Sequence, residues 1–257
     1  MFRMFRLNHK KIYLLLLLLA ICIPVGGFVD ISTMCVLKPT HEAALAAIKL
    51  GEDTKEGVHP SPMFPATAVI IDVGHGGVDS GAVYGNLYEK DINLEVGKRL
   101  YALLQSRGIP AVLNRTHDYA LSDDNRWHRT SSRHLRDLSQ RMGLTREIEH
   151  VIFVSLHVNA GNSPRAHGPL VLHQQQGESY LLASSVQSEM NALFHTAKRP
   201  VAVNSIYILK YVKSPAVLIE LGFISNKDDR ARLTSSRELT KIAGSIADGI
   251  SHYFWVN

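Results

Sequence analysis

Three apolar runs in this chain each end in a side chain able to hold or serve a divalent metal: Ala68-Val-Ile-Ile-Asp-Val-Gly-His75, Val151-Ile-Phe-Val-Ser-Leu-His157 and Ala216-Val-Leu-Ile-Glu220. Short β-branched runs of this kind read as strands of a parallel sheet buried on both faces. In open α/β sheets the ligand sits at the carboxyl ends of the strands. Groups far apart in sequence are therefore expected to meet in one crevice.

The intervening pattern predicts an alternation of strand and helix. A strand at about 67–73 and a Gly-rich turn precede a helix at about 91–107. Its stripe is Ile92, Val96, Leu100, Leu103 and Leu104, closed by Gly108 and Pro110. A second strand is expected at 111–113 and a helix at about 134–149 before the His157 strand. Beyond it come a strand at 170–173 and a helix at about 178–197, with Leu182, Val186, Met190, Leu193 and Phe194 on one stripe. Residues 205–211 and 216–221 read as two further strands. The last helix opens on a capping-box pattern, Ser235-Ser-Arg-Glu238, and repeats Leu239, Ile242, Ile246 and Ile250 at helical spacing. The expected fold is α/β, a single three-layer sandwich with a mostly parallel sheet flanked by helices.

With 257 residues, 46% of them apolar, the chain suffices for one sizeable core and an N-terminal appendage. Residues 1–29 read as a signal peptide or signal anchor. Met1-Phe-Arg-Met-Phe-Arg-Leu-Asn-His-Lys-Lys11 carries only positive charge, and Ile12 to Ile23 is Leu-rich and uncharged. Continued to Val29, the apolar stretch reaches roughly 18 residues, the lower edge of a bilayer span, while Val25 and Gly27 offer a small-residue cleavage site. Both outcomes fit, and an uncleaved segment would make membrane contact through residues 12–29. The large Ile21 before Cys22 argues against lipidation. Residues 30–66 read as a stalk, with an Ala-rich stretch behind Thr40, then Gly51 and a Pro-containing segment. Residues 67–257 form the expected catalytic domain.

Charge and cysteine content exclude several functions. Arg3, Arg6, Lys10 and Lys11 supply four positive charges to a segment without acids, and removing them from the formal +5 leaves +1. No nucleic acid is expected as a partner. The two cysteines, Cys22 and Cys35, precede the catalytic region, so a metal there must be held by His and carboxylate.

A hydrolytic zinc site takes three such ligands and keeps a fourth position for water. His75 lies in Gly74-His-Gly-Gly77, His157 in Ser155-Leu-His-Val-Asn-Ala160, and Glu89 falls just before the first long helix. Glu220 ends an otherwise apolar strand, where a carboxylate is costly unless paired, metal-bound or functional. Periodicity does not say which Glu binds metal and which acts as base. Asp72 and Asp79 flank His75 and offer acceptors for its ring, though Asp79 equally suits a turn-shaping role, and Asn159 is similarly ambiguous. His117, His128, His134, His150, His167, His173 and His195 read as surface or loop residues. Residues 122–136 place Arg126, Arg129, Arg133 and Arg136 around Trp127, which suits a solvated loop more than a groove for anionic glycan.

At this point a resemblance emerges. Val69-Ile-Ile-Asp-Val-Gly-His-Gly-Gly-Val-Asp-Ser-Gly-Ala82, Glu89-Lys-Asp-Ile-Asn-Leu94, Asn114-Arg-Thr-His-Asp118, Ser155-Leu-His-Val-Asn-Ala160 and Ile219-Glu-Leu-Gly-Phe-Ile-Ser-Asn226 resemble the ordered motifs of the zinc-dependent N-acetylmuramoyl-L-alanine amidases, over about residues 67–255. The resemblance implies one Zn2+ held by His75, Glu89 and His157, with Glu220 as catalytic acid/base. It also implies peptidoglycan as substrate, cleaved between muramic acid and L-alanine. The segment 199–215 is similar to the subgroup that acts on spore cortex for germination. The implied location is secreted or anchored on the outer face of a bacterial cytoplasmic membrane, including the space between forespore membranes. The 62 residues between His157 and Glu220 leave no room for an autoinhibitory helical insertion, and no repeat-built wall-binding module is visible. Targeting is expected from the N-terminus or a partner, an accessory activator protein among the candidates. Two other functions compete: a zinc peptidase acting within the stem peptide, and a catalytically silent wall-binding module.

Overall fold

Side-chain alternation along the strands determines where everything else sits. In the computed structural model, which describes residues 68–124, 129–148 and 151–256, six strands form one sheet in the order β4-β1-β5-β8-β6-β7. They are β1 (Ala68–Val73), β4 (Ala111–Leu113), β5 (Val151–Asn159), β6 (Leu170–His173), β7 (Val201–Ala202) and β8 (Ala216–Phe223). β4, β1, β5 and β8 run parallel, β6 is antiparallel to β8, and β7 is parallel to β6. A separate hairpin pairs β2 (Val83–Tyr84) with β3 (Leu87–Tyr88). Residues 1–67, which hold the expected signal or anchor segment, the stalk and its boundary with the sheet, lie outside the described residues. Among those described, no helix is long and apolar enough to cross a membrane.

Val69, Ile71 and Val73 of β1, Ile152, Val154 and Leu156 of β5, and Val217, Ile219 and Leu221 of β8 face one layer of helices. That layer contains α1 (Glu89–Ser106), α3 (Gly177–Phe194) and α6 (Ser236–Val256). The alternate residues Ala68, Ile70, Phe153, Ala216 and Leu218 face α2 (Arg133–Glu147) and the short α4 (Tyr207–Tyr211). A last helix, α5 (Lys227–Leu233), is capped by Asn226, whose side chain accepts from the amides of Asp228 and Asp229. The three-layer expectation is met.

Continuing the same alternation upward places Asp72, Ser155, His157 and Glu220 on the α2 side of the sheet. Asp72 is the register partner of Ser155, and His157 that of Glu220. The lower part of this face is apolar and covered; its upper part is polar.

Two expectations change. Residues 205–211, predicted as a strand, end in helix α4, with a two-residue strand earlier at Val201–Ala202. Ile208, Leu209 and Val212 are buried together while Lys210 and Tyr211 are exposed, a one-sided i, i+1, i+4 burial that a strand cannot provide. Glu89, predicted just ahead of the first helix, is its first residue, where the partial positive charge of the helix N-terminus favours a carboxylate. The capping box is half realised: the Glu238 amide donates to Ser235 Oγ, whereas the Glu238 carboxylate pairs with Arg232 and Lys241.

Close contact between α3 and α6 depends on Gly249. A Cβ there would lie 2.6 Å from Val186 Cα and 2.9 Å from Val186 N, both backbone atoms. Gly249→Ala is expected to destabilise the domain by about 1–3 kcal/mol through overpacking, outweighing a helix-propensity gain of up to ~1 kcal/mol. A lower denaturant midpoint at unchanged slope checks this.

Candidate active site

The turn after β1 brings His75 back toward the N-terminus of α1. His75 adopts φ 62°, and its Nε2 lies 3.2 Å from Glu89 Oε1 while its Nδ1 lies 3.0 Å from Asp79 Oδ2. Asp79 Oδ1 accepts the Gly81 amide at 3.2 Å, so Asp79 both orients the ring and shapes the turn. Glycine is required at position 81: φ is +64°, and a Cβ would meet Glu89 Oε2 at 2.5 Å and His75 Cδ2 at 2.6 Å.

From the end of β5, His157 Nδ1 approaches the same Glu89 Oε1 at 2.9 Å, and the Val158 amide donates to that oxygen at 2.8 Å. Glu89 Oε2 accepts the Ala82 amide at 2.7 Å. The two imidazoles meet edge to face, centroids 4.9 Å apart. One donor atom each from His75, Glu89 and His157 lies within 4.8 Å of the others, a grouping that can hold a metal ion. Ligands 2.0–2.2 Å from a tetrahedral zinc stand about 3.3–3.6 Å apart, so the donor set fits such an ion once the His–Glu separations of 3.2 and 2.9 Å open by a few tenths of an ångström.

Electrostatics sets the state of each group. Burial opposes charge on His75, but the hydrogen bonds and charges of Glu89 and Asp79 outweigh it, raising the pKa to about 8. Burial likewise opposes ionisation of Glu89, yet His157 and His75 hold its carboxyl well below the usual range. Asp79 is lowered against burial by His75, the Gly81 amide and the charge of Arg133. If His75 ligates a metal ion its imidazole must be neutral, and metal uptake by the metal-free protein is then expected to release a proton from His75 below pH 8. Apparent affinity should then rise by up to about tenfold per pH unit and flatten above pH 8. Chelator competition at a series of pH values measures the slope.

Glu220 stands apart from this cluster although it is the strand neighbour of His157. Its Oε2 is buried with no hydrogen-bond partner among the described residues. Burial raises its pKa to about 7, with Glu89 adding to the rise and the two histidines opposing it. An unpaired carboxylate near neutrality can take and return a proton.

Asp72, offered above as an acceptor for the His75 ring, does not reach it. It is fully buried and accepts instead from Asn114 Nδ2, Arg141 Nη1 and Ser155 Oγ. Asn159 contributes a backbone carbonyl, accepting the Ile224 amide at 2.8 Å. His117, His134, His167 and His195 are exposed, as expected; His128 and His150 lie outside the described residues. His173 is a correction: it ends β6, is 5% exposed, and packs edge-on to Tyr180 with Nδ1 on the Gln174 carbonyl. Of the basic segment, Arg126 and Trp127 lie outside the described residues, Arg129 is exposed, and Arg133 and Arg136 belong to the first turn of α2.

The sequence profile of the N-acetylmuramoyl-L-alanine amidase family (Amidase_3) matches residues 69–252, which contain His75, Glu89, His157 and Glu220. The chain belongs to this family. The amidase is 34% identical to the germination-specific N-acetylmuramoyl-L-alanine amidase of Bacillus subtilis over 188 residues, 72% of this chain and 79% of that protein. It is 36% identical to the YqiI protein of the same organism over 189 residues, 72% and 84% of the two chains. Its fold is similar to that of the CwlD amidase from Clostridioides difficile, solved in complex with the GerS lipoprotein. The TM-score is 0.69 and the identity 32%, covering 74% of this chain and all of that one. Like its family, the amidase is a hydrolase acting on peptidoglycan.

Proposed function

We propose that the amidase is a single-zinc enzyme that cleaves the amide between N-acetylmuramic acid and L-alanine in spore cortex, preparing the cortex for germination. His75, Glu89 and His157 would hold the ion, and Glu220 is the acid/base. The observation that carries the assignment is the contrast between the two glutamates. Glu89 is saturated by two imidazoles and two amides, whereas Glu220 Oε2 is buried and unpaired.

Bound zinc supplies Lewis-acid polarisation of the scissile carbonyl and a lowered pKa for its water. Glu220 accepts a proton from the attacking water and delivers it to the leaving alanine nitrogen. Asp79 holds the His75 ring by Nδ1, leaving Nε2 directed at Glu89.

The cortex assignment rests on the similarity to the germination-specific enzyme. Residues 1–29 would direct the enzyme across the cytoplasmic membrane or anchor it there, residues 30–66 would act as a stalk, and residues 67–257 would work on the outer face, including the space between forespore membranes. A lipoprotein-like accessory partner fits the complex in which the similar CwlD amidase was solved.

Digestion of purified cortex and vegetative sacculi, with and without prior chelation, tests the reading. New N-terminal alanine amines that disappear on chelation and return with zinc are expected, with cortex cleaved faster. New internal stem-peptide amines would assign a peptidase, and no product from zinc-loaded protein would indicate a silent wall-binding module.

A further inference from the structure

Two buried guanidiniums converge on the loop that carries His75, and neither has a part in the mechanism above. Arg115 is 1% exposed and Arg141 2%. A buried guanidinium is costly unless its donors are paired, and where stability alone is at stake an apolar side chain often serves as well. What an arginine adds is a rigid fork of donors able to reach several acceptors at once.

Those acceptors are three consecutive carbonyls. Arg141 Nη1 donates to Val73 O at 2.7 Å and Nη2 to His75 O at 2.8 Å. Arg115 Nε donates to Val73 O at 3.2 Å and Nη2 to Gly74 O at 3.1 Å. The same Arg115 Nη2 reaches Lys90 O at 2.7 Å, one residue beyond Glu89. A single side chain thus ties the backbone beside two of the three candidate ligands.

The loop needs such support. His75, Gly76 and Gly77 all have positive φ, at 62°, 140° and 58°. The left-handed conformation is strained for a residue with a Cβ, by on the order of 1 kcal/mol, and persists only where the surroundings enforce it. Arg141 is itself held by Asp137 Oδ2 at 2.6 Å and Asp72 Oδ1 at 2.8 Å. Asp72 in turn accepts from Ser155, two residues before His157. The network therefore reaches the third ligand's strand as well.

We infer that Arg115 and Arg141 are positioning residues that clamp the Val73–His75 carbonyls and hold the His75 backbone in the conformation that presents its ring to Glu89. This inference rests on the assignment of His75, Glu89 and His157 as metal ligands. Lysine at either position keeps the charge but has one nitrogen, which cannot span the same carbonyls.

Arg115→Lys and Arg141→Lys should be compared with wild type and with Gly249→Ala, which is expected to lower stability at the contact with Val186 of α3. The readouts are zinc affinity by chelator competition, the visible absorption spectrum of the cobalt(II) form, and the thermal midpoint without metal. The expected result is at least a tenfold weaker zinc affinity and an altered cobalt spectrum in the lysine variants, with wild-type values in Gly249→Ala. Wild-type affinity and spectrum in both lysine variants would overturn the clamp while leaving the ligands standing. Wild-type protein that bound no zinc would overturn the ligand assignment and the clamp with it. Should the lysine variants fail to fold, crystals of metal-free wild type decide. His75 still left-handed under both guanidiniums supports the clamp, and a rearranged loop refutes it.

Discussion

Glu220→Gln is expected to keep full metal stoichiometry while kcat falls by about 10²- to 10⁴-fold, the range that a positioned proton-transfer group contributes. The side chain is one strand away from His157 but outside the ligand grouping of His75, Glu89 and His157. Its replacement should not disturb them. Glutamine preserves the volume and one oxygen, yet it cannot accept a proton from water or return one to the departing nitrogen. Metal content by mass spectrometry and alanine amine release from sacculi, measured on the same preparation, separate the two roles. Activity within tenfold of wild type would move the proton-transfer role elsewhere, and loss of metal would make Glu220 a ligand.

Much of this site is legible because alternation is a local property. Once the His157 and Glu220 runs are read as strands, period two assigns their last residues to defined faces, and parallel pairing brings the carboxyl ends of the strands together. The hairpin of β2 and β3 is not legible in the sequence because two-residue strands carry no periodicity. Residues 205–211 resemble a strand in sequence because Ile206 and Ile208 alternate, whereas the burial of Ile208, Leu209 and Val212 follows a helix.

The arginine clamp had the weakest local signal. Asp137 and Arg141 are four apart on α2, a spacing that normally marks a solvent-facing ion pair, yet both are buried. Only the arrival of Asp72, 69 residues earlier in the chain, turns that helix face inward. A polar pair of this kind is indistinguishable from a surface pair until the sheet is assembled.

Glu89→Gln should give the opposite pattern from Glu220→Gln. Glu89 is surrounded by donors: the Val158 amide and both imidazoles converge on Oε1, and the Ala82 amide points at Oε2. An amide in its place must aim an NH2 group at one of these N–H donors and removes the negative charge from the metal grouping. We expect zinc affinity to fall by at least about a hundredfold, more than loss of an outer partner of a ligand usually costs, and stability to fall by about 1–3 kcal/mol for the unsatisfied buried donor. At position 220 the sign reverses. The folded-state pKa of about 7 lies above the ordinary 4.5, so the native state binds that proton more tightly than the unfolded chain. Ionisation therefore costs stability progressively from about pH 4.5 to 7, and the full cost remains at higher pH. Removing that buried charge should leave metal-free Glu220→Gln at least as stable as wild type at pH 8. Denaturant midpoints of the two variants at pH 8, set beside their zinc affinities, check both signs together. A Glu220→Gln variant less stable than wild type would mean that the carboxylate has a structural partner, and a Glu89→Gln variant with wild-type zinc affinity would remove Glu89 from the ligand set.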